Sequence, residues 1–154
     1  MKSKAQRLGR LLAVRRVAEE MAQSRLQLAS AAVHEVETAL GAQQMTLIEA
    51  GAAGREALAI GERGDWLMAD AQAEVAGWNR GRLGVVLATR KTLVAPAMED
   101  FLESRRELEQ VKLLVEDARR AARIDDDRRA QAAADDWFLS RLVRGRSGRI
   151  VNGS

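Results

Sequence analysis

Apolar residues recur along this chain at alternating steps of three and four, the spacing of a helical stripe, and almost nowhere at the step of two that marks a strand. Leu11, Val14, Ala18, Met21, Leu28 and Ala32 form the first stripe, with Arg25 filling one slot. It then moves to Val33, Val36, Leu40 and Leu47, a drift expected of a heptad seam on a 3.6-residue helix. The pattern predicts a first helix over about residues 4–50, roughly 60–70 Å long at 1.5 Å per residue. The second pattern is cleaner. Phe101, Leu108, Val115 and Ala122 fill one seam position, and Ala97, Ser104, Val111 and Ala118 fill the other. Farther on the seam takes in Asp125, Arg129 and Asp136 beside Ala132, Leu139 and Val143. A second long helix is predicted over about 96–144, with Pro96 either opening it at its first position or kinking a helix already begun near Arg90.

Between the two, about 51–95, lie Gly51, Gly54, Gly61, Gly64, Gly77, Gly81 and Gly84. Each glycine inside a helix costs about 1 kcal/mol relative to alanine. This segment is therefore expected to hold shorter helices, with a turn near Gly61-Glu62-Arg63-Gly64 and Asp65 as an N-cap. The predicted fold is all-α: an antiparallel two-helix coiled-coil hairpin with short helices at the tip, a single domain over 1–145, and a disordered tail over 146–154. In that pairing Arg25 is expected to meet Asp125 or Asp136. The seam residues are Leu11, Val14, Met21 and Leu28 on the first helix and Phe101, Leu108, Val111 and Val115 on the second.

Composition supports a thin seam over a thick core. The 154 residues are 47% hydrophobic but only 3% aromatic, with no Tyr and no Cys. Much of the apolar content is alanine, which buries little area, so each contact stabilises weakly at about 25 cal/mol per Å². Charged residues reach 31%, a mixture typical of long helices and coiled coils. No stretch is apolar enough to span a bilayer. Arg10, Arg15 and Arg16 break the apolar runs of the basic start, which lacks the core of a signal peptide. A cytoplasmic protein is the expectation.

The net charge is only +3, but positive charge gathers at the ends. Lys2, Lys4, Arg7, Arg10, Arg15 and Arg16 precede the first acid, and Arg141, Arg144, Arg146 and Arg149 follow the last. If the ends meet, they make one basic pole suited to an acidic surface. Catalytic chemistry is not visible. His34 is the lone histidine, and no Ser-His-Asp set assembles around it. Gly51-Ala-Ala-Gly54 lacks the Lys and Ser/Thr of a phosphate loop. Asp125-Asp126-Asp127 point about 100° apart on a helix and do not converge on a metal. No cofactor is expected. Arg80-Gly81-Arg82 and Arg144-Gly145-Arg146 invite a nucleic-acid reading, but aromatic residues for stacking are few. Trp66 and Trp78 are either a small local core in the tip or exposed anchors for a partner.

Leu102-Glu103-Ser-Arg-Arg-Glu107-Leu108-Glu109, followed by Gln131-Ala-Ala-Ala-Asp135-Asp136-Trp-Phe-Leu-Ser-Arg141, resembles the second helix of the FliJ family. The basic start with Leu8, Leu11 and Leu12 extends the resemblance over roughly 5–145. FliJ is a component of the bacterial flagellar type III export apparatus, with similar injectisome counterparts. The resemblance implies a non-enzymatic stalk that docks in the hexameric export ATPase, contacts the export-gate membrane protein and serves export chaperones. It implies a cytoplasmic site, peripheral to the inner membrane through partners only. Arg7, Arg10, Arg141 and Arg144 are then the expected ATPase-facing pole, and Trp66 and Trp78 the tip contacts. The alternatives are a generic coiled-coil scaffold that dimerises through the seam, and a basic nucleic-acid binder with strongly salt-dependent affinity.

Overall fold

A computed structural model describes residues 3–151. The protein is all-α: α1 spans Lys4–Ile60, α2 Arg63–Lys91 and α3 Val94–Val151, with no strand among the described residues. Only Gly61 and Glu62 separate α1 from α2, which makes the pair a helical hairpin. Gly61 takes φ 78°, the left-handed region that glycine enters without a Cβ penalty. The Glu62 amide donates to the Ala57 carbonyl at 2.9 Å and the Gly61 amide to Leu58 at 3.3 Å. This is a Schellman ending, which satisfies carbonyls that the last helical turn leaves free. The second break, at Thr92 and Leu93, has a different cause. Pro96 has no amide to donate to Thr92 and crowds the preceding turn, but it is tolerated in the first turn of α3. On the α2 side of the break the Thr92 amide donates to the Ala88 carbonyl at 3.3 Å and Thr92 Oγ1 to the Thr89 carbonyl at 2.6 Å.

The glycine-rich stretch turns at Gly61-Glu62, inside the expected Gly61-Glu62-Arg63-Gly64, but its other glycines do not break the helices. α1 runs through Gly51 and Gly54 to Ile60, and Gly64, Gly77, Gly81 and Gly84 all lie inside one 29-residue α2. Each glycine weakens the helix, but the buried seam runs past all of them, and a helix once nucleated extends cooperatively. α3 takes in the part of the expected disordered tail through Val151, while Asn152–Ser154 lie outside the described residues, as do Met1 and Lys2.

The chain divides into two compact units. One joins the residues up to Arg16 with those from Glu107 onward, and the other is Val17–Arg106. In the second unit Gly54 faces α2 closely. A Cβ placed on it would lie 3.6 Å from Ala69 Cβ and 3.8 Å from Trp66 Cδ1. Arg90 reaches from α2 to α1, donating to the Ala32 carbonyl at 2.9 Å and to Glu35 Oε2 at 3.3 Å. These contacts fix an antiparallel register about the Gly61-Glu62 turn. It sets Ala57 opposite Trp66, Leu47 opposite Ala76, Val36 opposite Leu87 and Ala22 opposite Phe101. Ala22, Val36, Ala50, Ala57, Ala69 and Ala76 are buried. At Ala57 opposite Trp66, Ala76 opposite Leu47 and Ala22 opposite Phe101 a small residue faces a larger one, which lets the helices approach with little void.

The seam on α1 therefore differs from the expected one. It uses Ala22, Leu26, Ala29, Val33, Val36, Leu40 and Leu47 in the second unit, and Leu8, Leu12 and Arg15 in the first. Leu11, Val14, Met21 and Leu28 lie on the adjacent face and are exposed, Leu28 to 71%. The register sets Leu26 opposite Ala97, and Arg25, expected to meet Asp125 or Asp136, is exposed beside it. Its Nε turns back to the Met21 carbonyl at 3.4 Å.

Candidate functional site: the uncovered end of helix α3

In the first unit the start of α1 packs against α3 only as far as Ala118. Leu108, Val111 and Val115 are buried there, and Leu8 and Leu12 are half-buried against them. Phe101, in the second unit, is half-buried. Arg15 sits in the seam and donates to Glu107 Oε2 at 2.5 Å. With both side chains more than a third exposed, such a pair is worth no more than about 1 kcal/mol. Past Ala118 the picture changes, because every residue from Arg119 to Gly148 is exposed. α3 continues for roughly 45 Å, at 1.5 Å per residue, with no other element against it.

This bare segment is not uniformly polar. Ile124, Trp137, Phe138, Leu139, Leu142 and Val143 are all more than half exposed. Phe138, Leu139, Leu142 and Val143 share one face, by their spacing of one, three and four. Arg141 lies over the Trp137 ring, its Cζ 5.0 Å from the centroid. At an exposed site this stacking contributes about 0.5–1 kcal/mol, enough to bias the guanidinium toward one direction. Phe138, Arg141, Leu142, Gly145 and Arg146 line a shallow depression where the missing glycine side chain leaves room. Residues beyond Asp136 contain arginine and no acid. A cationic last stretch also complements the negative end of the helix dipole.

The four arginines expected to form one pole are not brought together. Arg7 and Arg10 lie on the paired part of α1, beside the stretch of α3 around Leu113–Glu116. Arg141 and Arg144 lie farther along α3, roughly 40 Å away at 1.5 Å per residue. The reason is that α1 begins at Lys4, near the level of Ala118, while α3 continues to Val151.

The two tryptophans also separate in role. Trp66 is half-buried in the seam against Gly54. Trp78 is 73% exposed on the outside of α2. Met68, Ala71, Val75 and Trp78 follow helical spacing along that side, and Met68, Ala71 and Val75 border a groove of about 520 Å³ with Gln43 and Thr46 of α1. At the turn, Glu62 occupies the N-cap of α2 without a side-chain capping bond. Its carboxyl is held above the usual range, first by a hydrogen bond with Asp65 and then by the Asp65 charge.

Among the described residues no group of three or more His, Cys, Asp or Glu is placed to hold a metal ion, and no described helix is long and apolar enough to cross a membrane. Comparison with protein-family models, with curated proteins and with solved structures finds no match to this chain.

Proposed function

We propose that this protein is a non-enzymatic helical adaptor of a type III protein export apparatus, and that the bare end of α3 is the part that docks in the export ATPase. The observation that supports this reading is the uncovered segment from Arg119 to Gly148, tipped by Trp137-Phe138-Leu139 and by Arg141, Arg144 and Arg146. A single helix is only about 10–12 Å across with its side chains, thin enough to enter a narrow ring. Its arginines steer it toward an acidic opening and its aromatics supply anchoring contacts. Arg7 and Arg10 flank the base of that segment and contribute less. The exposed Trp78 side of α2 is the proposed contact for the export gate or for export chaperones. Peripheral association with the inner membrane follows through those partners alone.

The experiment is co-elution of this protein with the export ATPase of the same organism, at moderate salt, for the parent chain and for Arg141→Glu/Arg144→Glu. The reading expects a complex with the parent and loss of it with the variant. A complex that survives the reversal removes the docking assignment, and no complex at all removes the export reading.

A further inference from the structure

The bare segment has features that point to an occupant other than the ATPase. We infer that α3 pairs antiparallel with α3 of a second copy of this chain, about a two-fold axis beside Asp127.

Two independent patterns place the axis there. The first is charge. Continuing the buried seam of α3 past Ala118 by the same heptad brings Ala122, Asp125, Arg129 and Ala132 to the contact face. An antiparallel pair centred beside Asp127 sets Asp125 against the partner's Arg129 twice over, and Ala122 against the partner's Ala132. Arg119 and Asp135 lie at matching distances on either side of the same point. A parallel pair in register would instead stack Asp125 on Asp125 and Arg129 on Arg129. The second pattern is apolar exposure. Leu113 and Leu114 are exposed on α3, with Leu11 and Val14 exposed on the neighbouring start of α1. At the far end Trp137, Phe138, Leu139, Leu142 and Val143 are exposed. The midpoint between these clusters also falls beside Asp127. The antiparallel pair thus brings each bare apolar tip to the same level along the helix as the exposed leucines of the other copy, while the centre is held by charge.

At heptad spacing about four in seven of the positions from Leu113 to Val143 line the contact on each copy, and the exposed Leu11 and Val14 of α1 lie beside them, which approaches the roughly 20–30 residues a side of a standard stable interface. The two-fold symmetry makes the contact self-complementary and closed. Pairing covers the surface proposed for the ATPase, so the two occupancies exclude each other, and neither test decides the other.

The test is the solution mass of the full chain by light scattering and sedimentation, with circular dichroism to follow helix content. The parent is expected at twice its 16.9 kDa chain mass. Arg129→Asp places acid against acid and Asp125→Arg places arginine against arginine, so each single variant weakens the dimer by on the order of tenfold or more. Mixing the two variants restores both attractive pairs in a heterodimer, and D125R/R129D in one chain restores the homodimer. Recovery in the mixture separates a broken interface from a broken fold. A parent that stays at chain mass up to its highest soluble concentration overturns the inference. So do single variants that dimerise like the parent, or a mixture that shows no recovery.

Discussion

Gly54 and Gly61 lie seven residues apart and respond in opposite directions to the same substitution. Gly54 is buried within α1 with helical backbone, while Gly61 closes the helix at φ 78°. An alanine Cβ at Gly54 meets Ala69 Cβ at 3.6 Å and Trp66 Cδ1 at 3.8 Å, ordinary van der Waals distances that require nothing to move. Gly54→Ala gains about 0.8–1.0 kcal/mol of helix propensity. Burying the methyl group in that contact adds up to about 0.8 kcal/mol. The net expectation is a stabilisation of about 1–1.5 kcal/mol. For a chain of this size that raises the melting temperature by about 2–4 °C per kcal/mol. Gly61→Ala meets no atom within 4 Å, yet it forces a Cβ into the left-handed region at a cost of about 1–2 kcal/mol. The assay is urea and thermal unfolding followed by circular dichroism at matched concentrations. Destabilisation by Gly54→Ala would refute the register, because it would mean that the helices approach more closely at Gly54 than the Ala69 contact allows. Stabilisation by Gly61→Ala would refute the position of the turn.

Further expectations follow from burial and capping. Leu108→Ala removes a buried seam side chain and costs about 2 kcal/mol or more, whereas Leu28→Ala stays within about 0.5 kcal/mol, as unfolding curves of the two variants would register. Glu62→Ser supplies the side-chain cap that α2 lacks and stabilises by about 1 kcal/mol, read as a higher urea midpoint. The raised Glu62 carboxyl favours the protonated form in the folded state. Its contribution is therefore present below the ordinary glutamate range and is lost as pH rises through the folded-state value. Glu62→Gln removes that dependence, and the difference between parent and variant midpoints from acid to neutral pH measures it. Arg15→Ala breaks a half-exposed pair with Glu107 and lowers stability by no more than about 1 kcal/mol in a denaturant titration, an effect that shrinks in added salt.

The α3 seam was legible because its large residues stand alone. Phe101, Leu108, Val111 and Val115 have no competing stripe of equal size beside them. On α1 the larger side chains mislead. Leu11, Val14, Met21 and Leu28 make the more apolar stripe, yet the buried one runs through Ala22, Ala29 and Gly54, residues whose small size shows its purpose only against Phe101, Val94 and Trp66 across the seam. Arg15 and Glu19 interrupt that seam further, because long side chains can lie in it by their stems and reach out by their tips. The glycines of α2 pointed to breaks that cooperative extension and the seam residues Leu83 and Leu87 override.

The bare end of α3 was within reach of the sequence once the turn is set at Gly61. Among the described residues α1 has 57 residues while α2 and α3 have 29 and 58, so α3 continues past the start of α1. An expected tip of short helices spread over forty-five residues hid that inequality. It also made the terminal arginines look like one pole. The aromatic cluster at Trp137-Phe138-Leu139 was the remaining signal, since one partner helix cannot cover three successive positions.

Docking of that end of α3 in an export ATPase is measured directly by ATP hydrolysis by the export ATPase of the same organism with the parent chain, with Arg141→Glu/Arg144→Glu, and with Arg7→Glu/Arg10→Glu. If the bare end docks, the parent stimulates hydrolysis, the α3 pair loses that stimulation, and the α1 pair retains it. Absence of stimulation by the parent, or stimulation indifferent to the α3 reversal, would contradict that docking.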